Sequence, residues 1–351
     1  MDGMGDTRPL SVGGIFLSLG RAQAPPALFA RPSPAARARR ILAGRQLERF
    51  VSTAVMTILD CCNGLLLLAA DEAEKHQLDD GSSEWPPSPY TMSIYSSTTG
   101  SWEERPFVRD GGDPPGTFAE ARSAREPETR HAVYWRGALY VHCKGDFILR
   151  IALPDCKYQV IKLPEGVSSN AYFYLHLARS KDGVCFALAR AGLQLQVWFL
   201  NEADGKAEWL SKYDINLRAV DAHFKAHHDY PVDRPWILRD GHHRKGNSNR
   251  RPQVVEEWDS DNDDVLEVEA DDGRGGEKGH SSGLVSILGF HPFKEVAFLQ
   301  LSLGRVVACH LDTSKIQDLG NLCLGYCGAG DVVDTTFVYT PCWTGELSER
   351  N

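Results

Sequence analysis

Short apolar stretches separated by turn residues constrain the fold of this chain most strongly. Between residues 132 and 163, four stretches rich in aromatic and β-branched residues alternate in the manner of strands. Turns at Arg136-Gly137, at Lys144-Gly145-Asp146 and at Pro154-Asp155 separate them. Four strands in about 35 residues is the size of one blade of a β-propeller.

The same unit recurs along the chain with variation. A second unit covers residues 182–210, a later one covers 284–315, and an earlier fragment covers 90–102. The turn residues Gly137 and Gly183 lie about 46 residues apart, which is close to a propeller period. Because one four-stranded sheet cannot cover its own faces, stacked neighbours must bury them. We therefore predict an all-β fold of β-propeller-like repeats of short antiparallel strands, with a complete ring and an incomplete one as alternatives.

Two segments interrupt the pattern inside the predicted domain. Residues 71–89 are polar and end Pro-rich, which is typical of a loop. Residues 239–283 are acidic and Gly-rich, and such a composition cannot bury enough apolar surface to fold alone. We predict that they form a disordered insertion, with residues 259–276 exposed. By contrast, Phe147 and Trp198 are predicted to be buried in strands.

The start of the chain lacks the strand pattern. Residues 1–50 are predicted to be a leader that is poorly ordered or partly helical, with 34–50 as the helical part, so that the propeller-like domain covers 51–351. Residues 7–46 contain several Arg and no acidic residue, which leaves an organelle transit peptide as an alternative interpretation.

Composition argues against several classes of protein. The 351 residues carry a net charge of −9, which argues against a general binder of nucleic acid or of anionic membranes. No apolar run reaches the roughly 18 residues of a membrane-spanning helix, and Asp2 and Asp6 stand where a secretory signal is basic. The nine cysteines are irregularly spaced, which is typical of reduced intracellular thiols packed as small hydrophobes. We expect a cytoplasmic and/or nuclear protein with no nucleic-acid or membrane partner.

Candidate metal sites in the sequence are weak. An EF-hand loop that began at Asp259 would need Gly at its sixth position and Glu at its twelfth, but the chain has Asp264 and Ala270 there. Residues 259–264 are therefore predicted to be a solvated acidic loop. The pair Cys323 and Cys327 has no second pair at zinc-site spacing. The histidine-rich stretch carries no HExxH pattern and is interpreted as structural or solvated; its members are His223, His227, His228, His242 and His243.

The sequence offers no catalytic constellation. It has no Walker loop, no dinucleotide fingerprint and no nucleophile elbow. We therefore predict a non-enzymatic protein with no catalytic residues, no cofactor and no bound metal. Propellers bind through loops and not through blade cores, and rim loops carry no residue code that names a partner, so the partner-binding residues are unknown from sequence.

Several segments resemble the F-box-associated region of plant F-box proteins, in particular those of grasses. Residues 58–67 (ILDCCNGLLL) are similar to the strand that follows the F-box, and residues 93–102 (SIYSSTTGSW) are similar to a later family segment. Residues 195–209, 289–292 and 339–343 resemble the family's "VW…EW", "HP" and C-terminal segments in the same order. The resemblance covers roughly residues 50–351.

The resemblance implies a propeller of the kelch or F-box-associated type and a role as an interaction module. In the family, the F-box docks on the Skp adaptor of a cullin-RING ubiquitin ligase, and the region that follows it holds a protein target. This chain departs from the family at two places, because nothing before Phe50 reads like an F-box and the "CNP-T" strand expected after Leu68 is missing. The resemblance implies a Skp adaptor and a cullin as partners. The missing F-box argues against both of them.

Other interpretations remain open beside the substrate-recognition role. A truncated paralogue without function, or an incomplete gene model, would each explain the missing F-box. A stand-alone propeller that binds a small molecule or a glycan is the alternative from a different functional class.

Overall fold

The computed structural model describes a chain dominated by antiparallel strands. Among the described residues, no helix has the length and apolar character needed to cross a membrane. The described residues are 12–19, 27–31, 56–62, 65–70, 82–96, 101–123, 131–143, 147–167, 174–190, 192–203, 206–226, 236–239, 258, 260–261, 265–266, 283, 285–322 and 333–339.

The strands are numbered in chain order. The first twelve are β1 (Gly14–Leu19), β2 (Ala27–Ala30), β3 (Met56–Cys62), β4 (Leu65–Ala70), β5 (Glu84–Trp85), β6 (Tyr90–Ser96), β7 (Ser101–Arg109), β8 (Gly116–Thr117), β9 (Ala132–Trp135), β10 (Ala138–Cys143), β11 (Phe147–Ala152) and β12 (Lys157–Lys162). The others are β13 (Tyr174–Ser180), β14 (Gly183–Arg190), β15 (Gln194–Asn201), β16 (Glu208–Asn216), β17 (Ile237–Arg239), β18 (Val265–Leu266), β19 (Ser286–Phe290), β20 (Val296–Gln300), β21 (Arg305–His310), β22 (Ile316–Asn321) and β23 (Val333–Tyr339).

Two short helices accompany the strands, α1 (Phe118–Ser123) and α2 (Arg218–Ala226). Neither was predicted, and the predicted helical stretch 34–50 lies outside the described residues. A capping box starts α1: the Thr117 hydroxyl accepts a hydrogen bond from the Glu120 amide at 3.3 Å, and the Glu120 carboxylate accepts one from the Thr117 amide at 2.7 Å.

The chain divides into two compact units. The central unit is Asp71–Leu217, and the terminal unit combines Met1–Ala70 with Arg218–Asn351. The central unit contains a six-stranded sheet in the order β6-β7-β12-β11-β10-β9, a four-stranded sheet in the order β13-β14-β15-β16, and the pair β5-β8. The terminal unit contains a four-stranded sheet in the order β17-β2-β1-β23, a five-stranded sheet in the order β18-β22-β21-β20-β19, and the hairpin β3-β4.

The predicted repeat units are confirmed as sheets of antiparallel strands in sequence order. Strands β9 to β12 form the first predicted unit, and its two-residue turn Arg136-Gly137 joins Trp135 to Ala138 in register. In the second unit the sequence predicted β14, β15 and β16 but missed β13. That strand has the sequence YLHLARS, with no β-branched residue to mark it as extended. The later unit corresponds to β19, β20 and β21, to which β22 adds a fourth strand.

Two middle strands, β14 and β20, are buried on both faces. In β14 the residues from Gly183 to Ala189 are all buried, and in β20 the residues from Val296 to Leu299 are buried. A sheet in water can leave one face exposed, and burial of successive residues means that both faces are covered. This is the packing that the stacked-blade prediction requires.

The N-terminal residues differ from the leader that was predicted. Strand β1 pairs antiparallel with β23, and β2 pairs with both β1 and β17. Ile15, Leu17 and Phe29 are fully buried. At Gly14, where φ is +150°, a Cβ would lie 2.8 Å from the Phe29 carbonyl oxygen, so only glycine fits this close pairing. Residues 14–19 and 27–30 are therefore core strands, and the rest of the predicted leader lies mostly outside the described residues.

Part of the predicted disordered insertion also packs. Trp258 is buried in the core of the terminal unit, with its ring 5.7 Å from that of Trp236 and 5.6 Å from that of Phe298. Ser260 is buried, and its carbonyl oxygen accepts a hydrogen bond from Gln317 at 3.0 Å. Strand β18 pairs with β22. The prediction of a disordered insertion is wrong at Trp258, and the prediction of an exposed segment is wrong at Ser260, because the tryptophan inside the acidic run buries apolar surface. Asp261 and Val265 are exposed, as predicted.

Replacement of Leu17 by Ala tests whether β1 belongs to the core. We expect a loss of about 2–5 kcal/mol in the free energy of unfolding, because a fully buried leucine leaves a cavity. The matched control is Phe16→Ala, which removes a larger side chain from the half-buried position beside it and should cost less. Urea denaturation followed by circular dichroism measures both. A change within about 0.5 kcal/mol for Leu17→Ala would instead fit a leader outside the core.

Candidate functional site

An aromatic cluster joins the two sheets of the central unit. Phe186 on β14 is fully buried, and its ring lies 6.2 Å from His142, 6.2 Å from Trp198 and 5.8 Å from Trp209. Trp209 also donates a hydrogen bond from Nε1 to the carbonyl oxygen of Lys162 at 2.9 Å, which ties β16 to β12. Together these contacts hold the two sheets side by side.

The two aromatic residues predicted to be buried differ in their surroundings. Phe147 is buried, as predicted, in a second cluster with Phe107 and Tyr158. Trp198 lies on β15 and packs against the Phe186 cluster, but it is only half-buried. The prediction of full burial is wrong for Trp198, because its residue parity places it on the face of β15 that is partly open.

The tight turn between β9 and β10 presents an arginine over a tryptophan. The guanidinium of Arg136 lies 5.3 Å from the centre of the Trp135 ring, and that of Arg179, from β13, lies 5.0 Å from the same ring. A Cβ added at Gly183, at the start of β14, would lie 3.6 Å from Nε1 of Trp135. The indole therefore lies against the neighbouring sheet with two cations over it, which is a stabilising arrangement for each of them.

A second polar contact joins the same two sheets. The Tyr140 hydroxyl on β10 donates a hydrogen bond to Glu202 at 2.7 Å, and Arg150 on β11 donates one to that hydroxyl at 3.2 Å and pairs with Glu202 at 2.7 Å. Burial and the neighbouring Glu202 carboxylate raise the pKa of Tyr140 to about 12. The hydroxyl thus stays protonated at physiological pH and acts as a structural donor.

Three histidines are buried beside these contacts, and they are His131, His142 and His176. The rings of His131 and His176 are 3.9 Å apart. Burial lowers the pKa of His176 to about 3. Burial, and then the neighbouring His176 and His142, lower the pKa of His131 well below its ordinary value. Both rings are therefore neutral at pH 7.

The chemistry of these groups is that of binding and packing. Burial raises the pKa of the Cys309 thiol to about 12, so this cysteine carries no thiolate at neutral pH. Cys143, Cys156, Cys185 and Cys309 are free thiols, as their apolar surroundings in the sequence predicted. In the described part of the chain, no group of three or more His, Cys, Asp or Glu side chains is arranged to hold a metal ion.

Of the residues weighed as metal ligands in the sequence, the structure describes His223, Ser260 and Asp261. His223 lies on α2 and contacts the Phe224 ring, and Asp261 pairs with Lys294 at 2.7 Å. The remaining members of those sets lie outside the described residues: Cys323, Cys327, His227, His228, His242, His243 and most of 259–264. Sequence reasoning did not single out Trp135, Arg136 or Arg179. The sequence signal that could have drawn attention to Arg136 is an Arg-Gly pair in a two-residue turn, where Asn-Gly or Asp-Gly is usual.

Sheets of short, mostly antiparallel strands paired in sequence order, in which β14 and β20 are buried on both faces, are typical of a β-propeller type of module. Residues 90–236 match the model of the family described as F-box protein AT5G49610-like, beta-propeller. This segment runs from the first residue of β6 to the residue before β17, and it is similar to the propeller region of plant F-box proteins. The match covers less than half of the chain, leaves out the sheet of β18 to β22, and comes with no match to an F-box. No curated protein and no solved structure matches the chain.

Two of the buried histidines, His131 and His176, make the stability of the protein dependent on pH. In the unfolded chain these histidines take up protons near pH 6.5, whereas in the folded state His176 stays neutral down to about pH 3. Above pH 6.5 these histidines therefore leave the free energy of unfolding unchanged. As the pH falls from 6.5 towards the pKa of the folded state, each histidine lowers the free energy of unfolding by up to about 1.4 kcal/mol per pH unit.

Replacement of His176 by Gln should remove one such contribution. We expect the slope of unfolding free energy against pH, measured by urea denaturation between pH 7 and 5, to be shallower than in the wild type. Gln159→Asn, a polar change at a half-buried position on β12 that alters no titrating group, is the control and should keep the wild-type slope. An unchanged slope for His176→Gln would show that this ring is protonated in the folded protein.

Proposed function

We propose that this chain is a target-recognition module of an F-box type of cullin-RING ubiquitin ligase. The observation that carries the proposal is the match of residues 90–236 to an F-box protein β-propeller family. In such a module the sheets act as a rigid scaffold, and the exposed turns at their ends hold a protein target. The role is binding, with no chemical step, and it is carried out in the cytoplasm and/or the nucleus.

The arrangement of the central unit supports a binding role. Its apolar residues are used inside the sheets, where Phe186 and its neighbours exclude water. The exposed Arg136 lies in the tight turn that joins β9 to β10. Turns on a rigid scaffold bind with a small loss of conformational entropy, because their geometry is already set before the partner arrives.

Affinity purification from plant cells tests the ligase role. The full chain, carrying an epitope tag and expressed with a proteasome inhibitor, should recover a Skp adaptor and a cullin subunit identified by mass spectrometry. The control is an equally tagged β-propeller from a protein outside ubiquitin ligases, which should recover neither.

Two results would contradict parts of this proposal. Recovery of protein partners without Skp and cullin, from cells with intact full chain, would leave a stand-alone interaction module and exclude the ligase role. Saturable binding of a glycan on an array, abolished by substitution of exposed turn residues, would favour the glycan-binding class instead.

A further inference from the structure

The turn at Arg136-Gly137 holds an arginine in a backbone conformation that arginine rarely adopts. Its φ is 45° at Arg136 and 83° at Gly137, and a two-residue hairpin turn with two positive φ angles is of type I′. Asn, Asp and Gly fit the first position of such a turn, whereas a long side chain carries a steric cost there. An arginine that is kept against this cost points to a role for its side chain.

The structure also orients that side chain. Arg136 is exposed, and it forms no ion pair with any described residue. Its guanidinium is instead placed 5.3 Å over the Trp135 ring. Trp135 is itself fixed, since it packs against the inter-sheet cluster and lies over Gly183. The cation–π contact limits the rotamers of Arg136, so less conformational entropy is lost when a ligand binds.

The local charge selects the chemistry of the partner. Arg179 brings a second guanidinium to the same ring, at 5.0 Å, and Lys181 follows in the adjacent turn and is exposed. The carboxylate beside Lys181, Asp182, pairs with Lys212 at 3.0 Å. A cation such as Arg136 attracts carboxylates and repels basic segments, although the whole chain carries a net charge of −9. A guanidinium binds a carboxylate through two parallel hydrogen bonds, which gives direction as well as attraction.

We propose that Arg136, placed over Trp135, binds a carboxylate of an acidic, extended segment in a partner protein. The inference rests on the proposed function, because it names the chemistry of the target that the module holds. Arg136 makes the direct contact with the carboxylate.

Fluorescence anisotropy with the full chain tests this proposal. The probes are labelled 12-residue peptides in which half of the residues are Asp or Glu, each paired with a version carrying Asn or Gln at those positions. The acidic peptides should bind more tightly than their amide versions, and 0.5 M salt should weaken the binding. Arg136→Asn should weaken the binding of the acidic peptides about tenfold, because it removes a charge-assisted hydrogen-bond pair.

Stability measurements separate this binding role from a structural one. Asn fits the first position of the turn better than Arg, so the melting temperature of Arg136→Asn should be at or above that of the wild type. Lys162→Gln removes one exposed positive charge from β12 and should leave peptide affinity unchanged. Tyr134→Ala removes an exposed aromatic side chain from the opposite face of β9 and should also leave it unchanged.

Three outcomes would overturn the inference. They are equal binding of acidic and amide peptides, undiminished binding by Arg136→Asn, and preferential binding of a labelled 12-nucleotide single-stranded RNA. Affinity purification distinguishes a failure of this inference from a failure of the proposed ligase role. Recovery of Skp and cullin by wild-type chain that ignores acidic peptides would contradict the inference alone, and absence of both subunits would contradict the ligase role whatever the peptides do.

Discussion

Exclusion of water from both faces of strand β14 is the constraint on which the central unit depends. Strand β14 is buried at seven successive positions, so its sheet is stable only when something covers each face. In the central unit one face carries Phe186, which packs against His142 of the neighbouring sheet and against Trp198 and Trp209 of its own. Fully burying an aromatic side chain contributes about 1.5–3 kcal/mol, more than any single exposed ion pair in the unit.

The same packing determines what the turns can do. Once β9 and β13 are held beside each other, Trp135 lies over Gly183 and under the Arg179 guanidinium, and Arg136 is oriented by that ring. The Tyr140, Arg150 and Glu202 contact ties the two sheets further. A turn whose geometry is set in advance is therefore a consequence of a rigid interior, and such a turn can bind a partner with a small loss of conformational entropy.

Local sequence patterns predicted the strands whose pairing is also local. Strands β9 to β12 alternate, contain β-branched residues and end in Gly or Pro turns, and the structure confirms them. Strand β1 could not be predicted, because its partner β23 lies at the opposite end of the chain and no local pattern reports such a pairing. Trp258 was missed because the acidic residues around it dominate the composition. The capping box of α1 was present in the sequence, and Arg136 was visible only as an unusual residue in a tight turn.

Hydrogen exchange on the Phe186→Ala variant tests the inter-sheet packing most directly. The substitution should cost about 3–5 kcal/mol, and amide protection measured by mass spectrometry should fall together in β9 to β12 and in β13 to β16, because each sheet covers a face of the other. Tyr134→Ala, which removes an exposed aromatic side chain, should leave both sheets protected. Loss of protection confined to β13 to β16, with β9 to β12 unchanged, would contradict the account, since it would show that the two sheets are stable independently.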